Sequence, residues 1–151
     1  MTLPLALLET QISDIDQLLQ LIHDFYQHFD YPYIEAEKRQ TLESLWQNPT
    51  FGRIYFIQAE QNIVGYVYLS FYFSLEFGGR TAFIDELFIL PSHRGLGIGS
   101  WVIEQVEQQC RAWQFQALHL ESERKNTGAT ALYLKLGFLD YDRRLLTKPL
   151  A

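Results

Sequence analysis

The sequence predicts an α+β fold with a mixed, largely antiparallel central sheet and flanking helices, and three observations carry that expectation. Three strand-like segments between Arg53 and Leu90 follow one another through tight turns, which argues for an antiparallel meander. An amphipathic helix precedes them. A strand, helix, strand unit follows them, and its crossover makes the strands on either side of the helix parallel. The 151 residues, 48% hydrophobic and 15% aromatic, supply the core of a single domain spanning 1–151 and are too few for two full domains.

Leu5 to Thr10 reads as a short strand. Ser13 and Asp16 form a capping-box-like start, after which Ile15, Leu18, Leu19, Ile22, Phe25, Tyr26 and Phe29 recur at helical spacing until near Asp30. Pro32 stops that helix, and Glu35 to Trp46 gives a shorter, more polar one closed by Asn48-Pro49. Arg53 to Ala59 and Ile63 to Phe73 are strands joined through Glu60-Gln61-Asn62, and Phe77-Gly78-Gly79-Arg80 turns into a third, Thr81 to Leu90. Ser92 to Gly99 is a glycine loop, Ser100 to Trp113 a helix, and Ala117 to Glu121 an apolar strand. Asn126 to Leu136 is a last helix ended by Gly137, and Phe138 to Thr147 is a final strand region.

Charge and cysteine content narrow the function. Twelve Lys+Arg against 18 Asp+Glu give a formal charge of −6, so nucleic-acid binding has no basic face to draw on and cationic small molecules are the better partners. The single cysteine, Cys110, makes no intrachain disulfide, and the apolar start Leu3 to Leu8 lacks the charged flank of a signal peptide. Ile63 to Phe73, the longest apolar stretch, is interrupted by Gly65 and Ser70 and is too short to span a bilayer as a helix. The expected location is the cytoplasm, without a membrane anchor. His23, His28, His93 and His119 have no acid or second histidine at metal spacing, so no metal site is expected. No Gly-x-Ser-x-Gly elbow is present, and Cys110 lies within a helix without a local activating partner.

The informative segment is Arg94-Gly95-Leu96-Gly97-Ile98-Gly99, after a strand and opening a helix. Alternate glycines turn successive N–H groups toward one point, and the helix N-terminus adds partial positive charge, which suits phosphate or pyrophosphate. A turn that only reverses the chain is the plain alternative. A P-loop requires a lysine, and Gly99 is followed by Ser100-Trp101. A dinucleotide fingerprint counted from Gly95 meets Ser100 where glycine or alanine is wanted, although Glu121 stands about where its ribose acid would.

Arg94-x-x-Gly97-x-Gly99 matches the Arg/Gln-x-x-Gly-x-Gly/Ala motif of the GNAT N-acetyltransferase superfamily, and its flanks agree. Phe83-Ile84-Asp85-Glu86-Leu87-Phe88-Ile89-Leu90-Pro91 resembles that superfamily's fourth strand. Asn126-x-x-Ala129-x-x-Leu132-Tyr133-x-x-x-Gly137-Phe138 resembles its following helix. The resemblance covers about residues 83 to 138 and implies acetyl-CoA as cosubstrate, with an amine as acceptor. It places the pyrophosphate on the loop from Gly95 through Leu96, Gly97, Ile98 and Gly99 to Ser100, beside Arg94. It also sets the pantetheine along Leu87, Phe88 and Ile89 and gives Asn126 a hydrogen bond to the cofactor. An unpaired strand edge offers N–H and C=O groups that an amide-bearing pantetheine can satisfy.

Acetyl transfer by direct attack requires a neutral amine, a stabilised oxyanion and a proton for the departing thiolate. The resemblance makes Tyr133 the acid; packing in the stripe Ala129, Leu132, Tyr133 and Leu136 is its alternative role. For the base, Asp85 and Glu86 are adjacent on a strand, so period 2 sends them to opposite faces, and the resemblance favours Glu86. Asp30 to Glu35 and the hairpin Phe71 to Gly79 would flank the acceptor channel by the same analogy. Both are aromatic with acids, which suits a small-molecule or peptide amine; a peptide N-terminus, a lysine, an aminoglycoside and an amino acid all stay open. A homodimer is compatible with the sequence. A module that binds acyl-CoA or a dinucleotide as a sensor, without turnover, is the alternative class.

Overall fold

Five strands hydrogen-bond in chain order to make one sheet, β1-β2-β3-β4-β5. They are β1 (Leu5–Glu9), β2 (Gly52–Ala59), β3 (Asn62–Ser74), β4 (Gly79–Ile89) and β5 (Ala117–Leu120). The structure is a computed structural model describing residues 2–151. The chain forms two compact units, the first ending at Leu120 and the second running from Glu121 to Ala151. The first four strands are antiparallel, and β5 is parallel to β4, as a helical crossover requires. That is the expected α+β class.

Two helices pack on one face of the sheet. From α1 (Ile15–His28) come Leu18, Leu19, Ile22 and Phe25, and from α2 (Glu35–Gln47) Leu42 and Leu45; they meet Ile54, Phe56, Tyr66 and Phe88 in one core. The third helix, α3 (Ile98–Ala112), buries Ile98, Val102, Ile103, Val106 and Cys110, and the Trp113 ring just beyond it lies 5.4 Å from Phe71. Among the described residues no helix is long and apolar enough to cross a membrane.

The register of β3 and β4 positions the acids. Tyr68 pairs with Glu86 but Leu69 with Ile84, so Asp85 is one extra residue, a β-bulge. Directly opposed residues share a face. Without the bulge Ile84 and Glu86 would point the same way; with it, Ile84 goes with Leu69 while Glu86 joins Tyr66, Tyr68 and Phe88 beneath α1. Beyond the bulge β4 also loses a neighbour. β5 pairs only with Thr81 to Ile84, so from Asp85 to Ile89 β4 has a strand on one side alone among the described residues.

Several local expectations are corrected. The start of α1 is a 3₁₀ turn, Ile12–Asp14, where the Asp14 carboxylate accepts the Gln11 N–H at 2.9 Å; the cap is therefore Asp14 on Gln11 and not a Ser13–Asp16 box. Helix α3 starts at Ile98, within the glycine loop, two residues earlier than the sequence suggests. In the second unit, α4 (Thr127–Lys135) is followed by Gly137 at φ 97°, but Phe138 to Thr147 forms no strand. The Asp140 carboxylate takes the Asp142 N–H at 2.7 Å and Asp142 adopts φ 54°, a local turn that breaks extended pairing.

Strand spacing allows a direct check. A Cβ on Gly65 would lie 2.0 Å from the Phe88 carbonyl oxygen, a backbone atom with nowhere to go, whereas one on Gly99 would touch only Ile89 Cδ1 at 3.7 Å. Gly65→Ala is expected to cost about 3 kcal/mol and lower Tm by about 6–12 °C, while Gly99→Ala leaves Tm unchanged or higher. Equal melting temperatures by calorimetry would contradict the β3–β4 approach described here.

Candidate active site

Glu86 sits at the meeting point of three elements. Its Oε2 accepts the Tyr26 hydroxyl from α1 at 2.6 Å, and its Oε1 accepts the Tyr66 hydroxyl from β3 at 2.8 Å. Tyr66 is fully buried. Burial pushes the Glu86 carboxyl above the usual glutamate range, against the opposing pull of the two phenol hydrogen bonds and of the Lys38 ammonium. Both phenols are driven far up by burial and by the Glu86 charge, so each stays protonated and serves as a donor. Lys38 Nζ lies 4.3 Å from the Tyr26 ring centroid, an ammonium over an aromatic face. Asp85, in the bulge, is also raised by burial.

The open edge of β4 leads from Glu86 to the glycine loop. The Leu90 N–H bonds to Val64 O at 2.8 Å, and antiparallel hydrogen bonding alternates, so Phe88 directs its peptide groups to Tyr66 while Leu87 and Ile89 direct theirs away from β3. Of the three expected pantetheine residues, Leu87 and Ile89 thus present backbone to the open edge and Phe88 does not. Arg94 crosses at its end: Nε donates to Ile89 O at 2.8 Å, and the guanidinium lies 5.4 Å from the Phe88 ring centroid.

Gly95 and Gly97 adopt φ 75° and 79°, the left-handed region, with nothing within 4 Å of where a side chain would begin. Gly97 is the N-cap of α3, which has no side-chain cap, and the first helical bond is Trp101 N–H to Gly97 O at 3.1 Å. The N–H groups of Ile98, Gly99 and Ser100 therefore precede the helical hydrogen-bond ladder and share its positive end. Leu96, in the same loop, is exposed. The combination of free amides, left-handed glycines and open space can accept a phosphate-bearing ligand.

Asn126 and Tyr133 belong to the second unit. Asn126 Oδ1 accepts the Ala129 N–H at 3.1 Å, capping α4. The Tyr133 ring lies 6.1 Å from that of Phe138, and burial raises its phenol above the ordinary value. No residue of α4 is fully buried, so the stripe through Ala129, Leu132 and Tyr133 is only partly covered.

Sequence reading singled out Glu86 but not its partners Tyr26 and Tyr66, 60 and 20 residues away along the chain. Tyr26 reads as one more member of a helical stripe and Tyr66 as one more strand aromatic. His119 is another missed feature. Its ring stacks on Tyr72 at 5.6 Å with Phe77 at 5.0 Å, its Nε2 has no hydrogen-bond partner, and burial lowers its pKa.

Residues 15–138 match the model of the acetyltransferase (GNAT) family. The integron cassette protein HFX_CASS3, from the mobile metagenome of Cole Harbour Salt Marsh, has a crystal structure with TM-score 0.84 at 30% identity, over 96% of this chain and 90% of its own. The fold is also that of aminoglycoside N-acetyltransferase AAC(6')-Iy in complex with CoA, at TM-score 0.80 and 14% identity over 100% of this chain and 98% of that one. A predicted acetyltransferase with acetyl-CoA from Clostridium acetobutylicum superposes at TM-score 0.76 and 18% identity, covering 96% of each. No curated protein is detectably similar in sequence. The chain belongs to the GNAT acetyltransferase family.

The loop geometry yields a ligand-binding expectation. Gly97→Glu adds a strained left-handed backbone, bulk and like charge where an anion would meet the α3 amides, and should weaken CoA binding at least about 100-fold, as about 3 kcal/mol implies. Gly99→Ala should keep affinity within about threefold. Titration calorimetry giving equal CoA affinity for folded Gly97→Glu and the unmutated protein would reduce the loop to a turn.

Proposed function

We propose that the protein transfers an acetyl group from acetyl-CoA to a primary amine by direct attack of the amine on the thioester carbonyl. The observation that carries this reading is a half-buried carboxylate held by two phenols, Glu86, on the same strand whose open edge runs to an uncapped, glycine-lined helix N-terminus. Family membership and the likeness of the fold to CoA- and acetyl-CoA-bound proteins support the choice of donor. Acetyl-CoA supplies the acyl group as an activated thioester. The amides of Ile98, Gly99 and Ser100, with Arg94, would hold its pyrophosphate, and the peptide groups of Leu87 and Ile89 its amide-bearing arm.

Glu86 has a second task besides holding two phenols. Each carboxylate oxygen has two lone pairs, so two acceptor sites remain for an incoming ammonium. The charge draws the ammonium in, and a raised carboxyl pKa makes Glu86 a better proton acceptor than an ordinary glutamate, directly or through one water. Asp85, in the adjacent bulge, adds to the negative potential. To Tyr133 we assign the proton that the departing thiolate takes; its raised pKa keeps the phenol protonated at neutral pH.

Thiol release from acetyl-CoA across a panel of amines tests the reaction. Only ionised Glu86 can accept a proton, so activity is present above its raised pKa and lost as pH falls through it. Glu86→Gln should lower kcat/KM about 10²- to 10⁴-fold and remove that acid limb, and Tyr133→Phe should keep acetyl-CoA affinity while lowering kcat by a similar factor. Acetyl-CoA binding with no thiol release for any amine would favour the sensor reading. An unchanged acid limb in Glu86→Gln would remove Glu86 as the base.

A further inference from the structure

The fold holds a half-exposed aromatic surface beside the candidate site, its inner side packed on the core ring Phe25. Phe29 and Tyr31 stack with centroids 5.5 Å apart and planes 18° from parallel, yet remain 44% and 46% exposed. The segment is fixed. Asp30 between them sits at φ 56°, and the Phe29, Asp30 and Tyr31 N–H groups bond to Phe25 O, Gln27 O and Tyr26 O at 3.2, 3.2 and 2.8 Å. Solvated aromatic rings in one rigid arrangement mark a recognition surface. This one adjoins the carboxylate: the Tyr31 ring meets the Tyr26 ring edge-on at 5.8 Å, and the Tyr26 hydroxyl is 2.6 Å from Glu86.

Charge decides the occupant. The Lys38 ammonium already lies over the Tyr26 ring, beside the path from Tyr31 to Glu86. Glu86 and Asp85 draw one ammonium in against the opposing charge of Lys38, and the half-exposed rings of Phe29 and Tyr31 offer a flat apolar surface to the rest of the acceptor. Resting on the acetyl-transfer reading above, we propose that the acceptor is a monoamine joined by a short flexible linker to a planar aromatic ring, with the ring seated on the Phe29–Tyr31 pair.

The test compares 2-phenylethylamine, n-butylamine and spermidine as acceptors with saturating acetyl-CoA. We expect kcat/KM for 2-phenylethylamine to exceed that for either of the others at least about 10-fold. Combining Phe29→Ala with Tyr31→Ala should bring the phenylethylamine-to-butylamine ratio to about 1, through KM. On the unmutated protein, 2-phenylethylamine should shift the Phe29 and Tyr31 ring resonances and spermidine should not, a readout that survives even if the double variant fails to fold. Acetylation of all three amines with spermidine favoured, or a selectivity ratio unmoved in the double variant, would overturn the platform and leave acetyl transfer standing. No thiol release with any amine would overturn the transfer reading, and this one with it.

Discussion

A half-buried carboxylate with a phenol on each oxygen is the constraint around which this fold is arranged. Glu86 ties together α1 through Tyr26, β3 through Tyr66, and β4, its own strand. Hydrogen bonds to a charged group are worth about 1.5–3 kcal/mol each, and both hydroxyls would otherwise be buried next to apolar core such as Phe25 and Phe88. The arrangement still costs stability. A carboxyl whose folded-state pKa lies above its unfolded value contributes nothing adverse at low pH, and destabilises the fold progressively as pH rises between the two values.

The Asp85 bulge makes the arrangement possible. It shifts the alternation of β4 by one residue, so that Glu86 joins the face beneath α1 while Ile84 goes with Leu69 on the other. The same point is where β5 ceases to pair, so the change of face and the exposure of backbone at Leu87 and Ile89 coincide. The exposed edge ends at Arg94, whose guanidinium closes over Ile89 O and Phe88 and leads into the left-handed glycines of the α3 N-terminus. A carboxylate, an open strand edge and a glycine-lined helix N-terminus thus lie in sequence along about 15 residues.

Much of this is legible in the chain. The glycine loop, the adjacent acids and the meander are local patterns whose meaning lies within a few residues, and each predicted strand from Leu5 to Leu120 lies within about two residues of its observed ends. What escapes is non-local. That Tyr26 and Tyr66 converge on Glu86 follows from helix docking and strand register, which no spacing in the sequence encodes. The bulge likewise escapes, because Phe83 to Ile89 has no strict apolar–polar alternation against which one extra residue would stand out. Phe138 to Thr147 misleads for the opposite reason. Its aromatic and aliphatic residues suggest a strand, but Asp140 accepts the Asp142 N–H and Asp142 takes a left-handed φ, a local turn.

The measurement that bears most directly on this account is the titration of the Glu86 side-chain ¹³Cδ resonance in the folded protein. A carboxylate desolvated at the junction of α1, β3 and β4 should titrate with its midpoint above 4.5, the value for an ordinary glutamate, and Tyr26→Phe, by removing a donor to the charged form, should move it higher still. A midpoint at or below 4.5, insensitive to Tyr26→Phe, would mean that Glu86 is a solvated strand residue and that the site described here is not built around it.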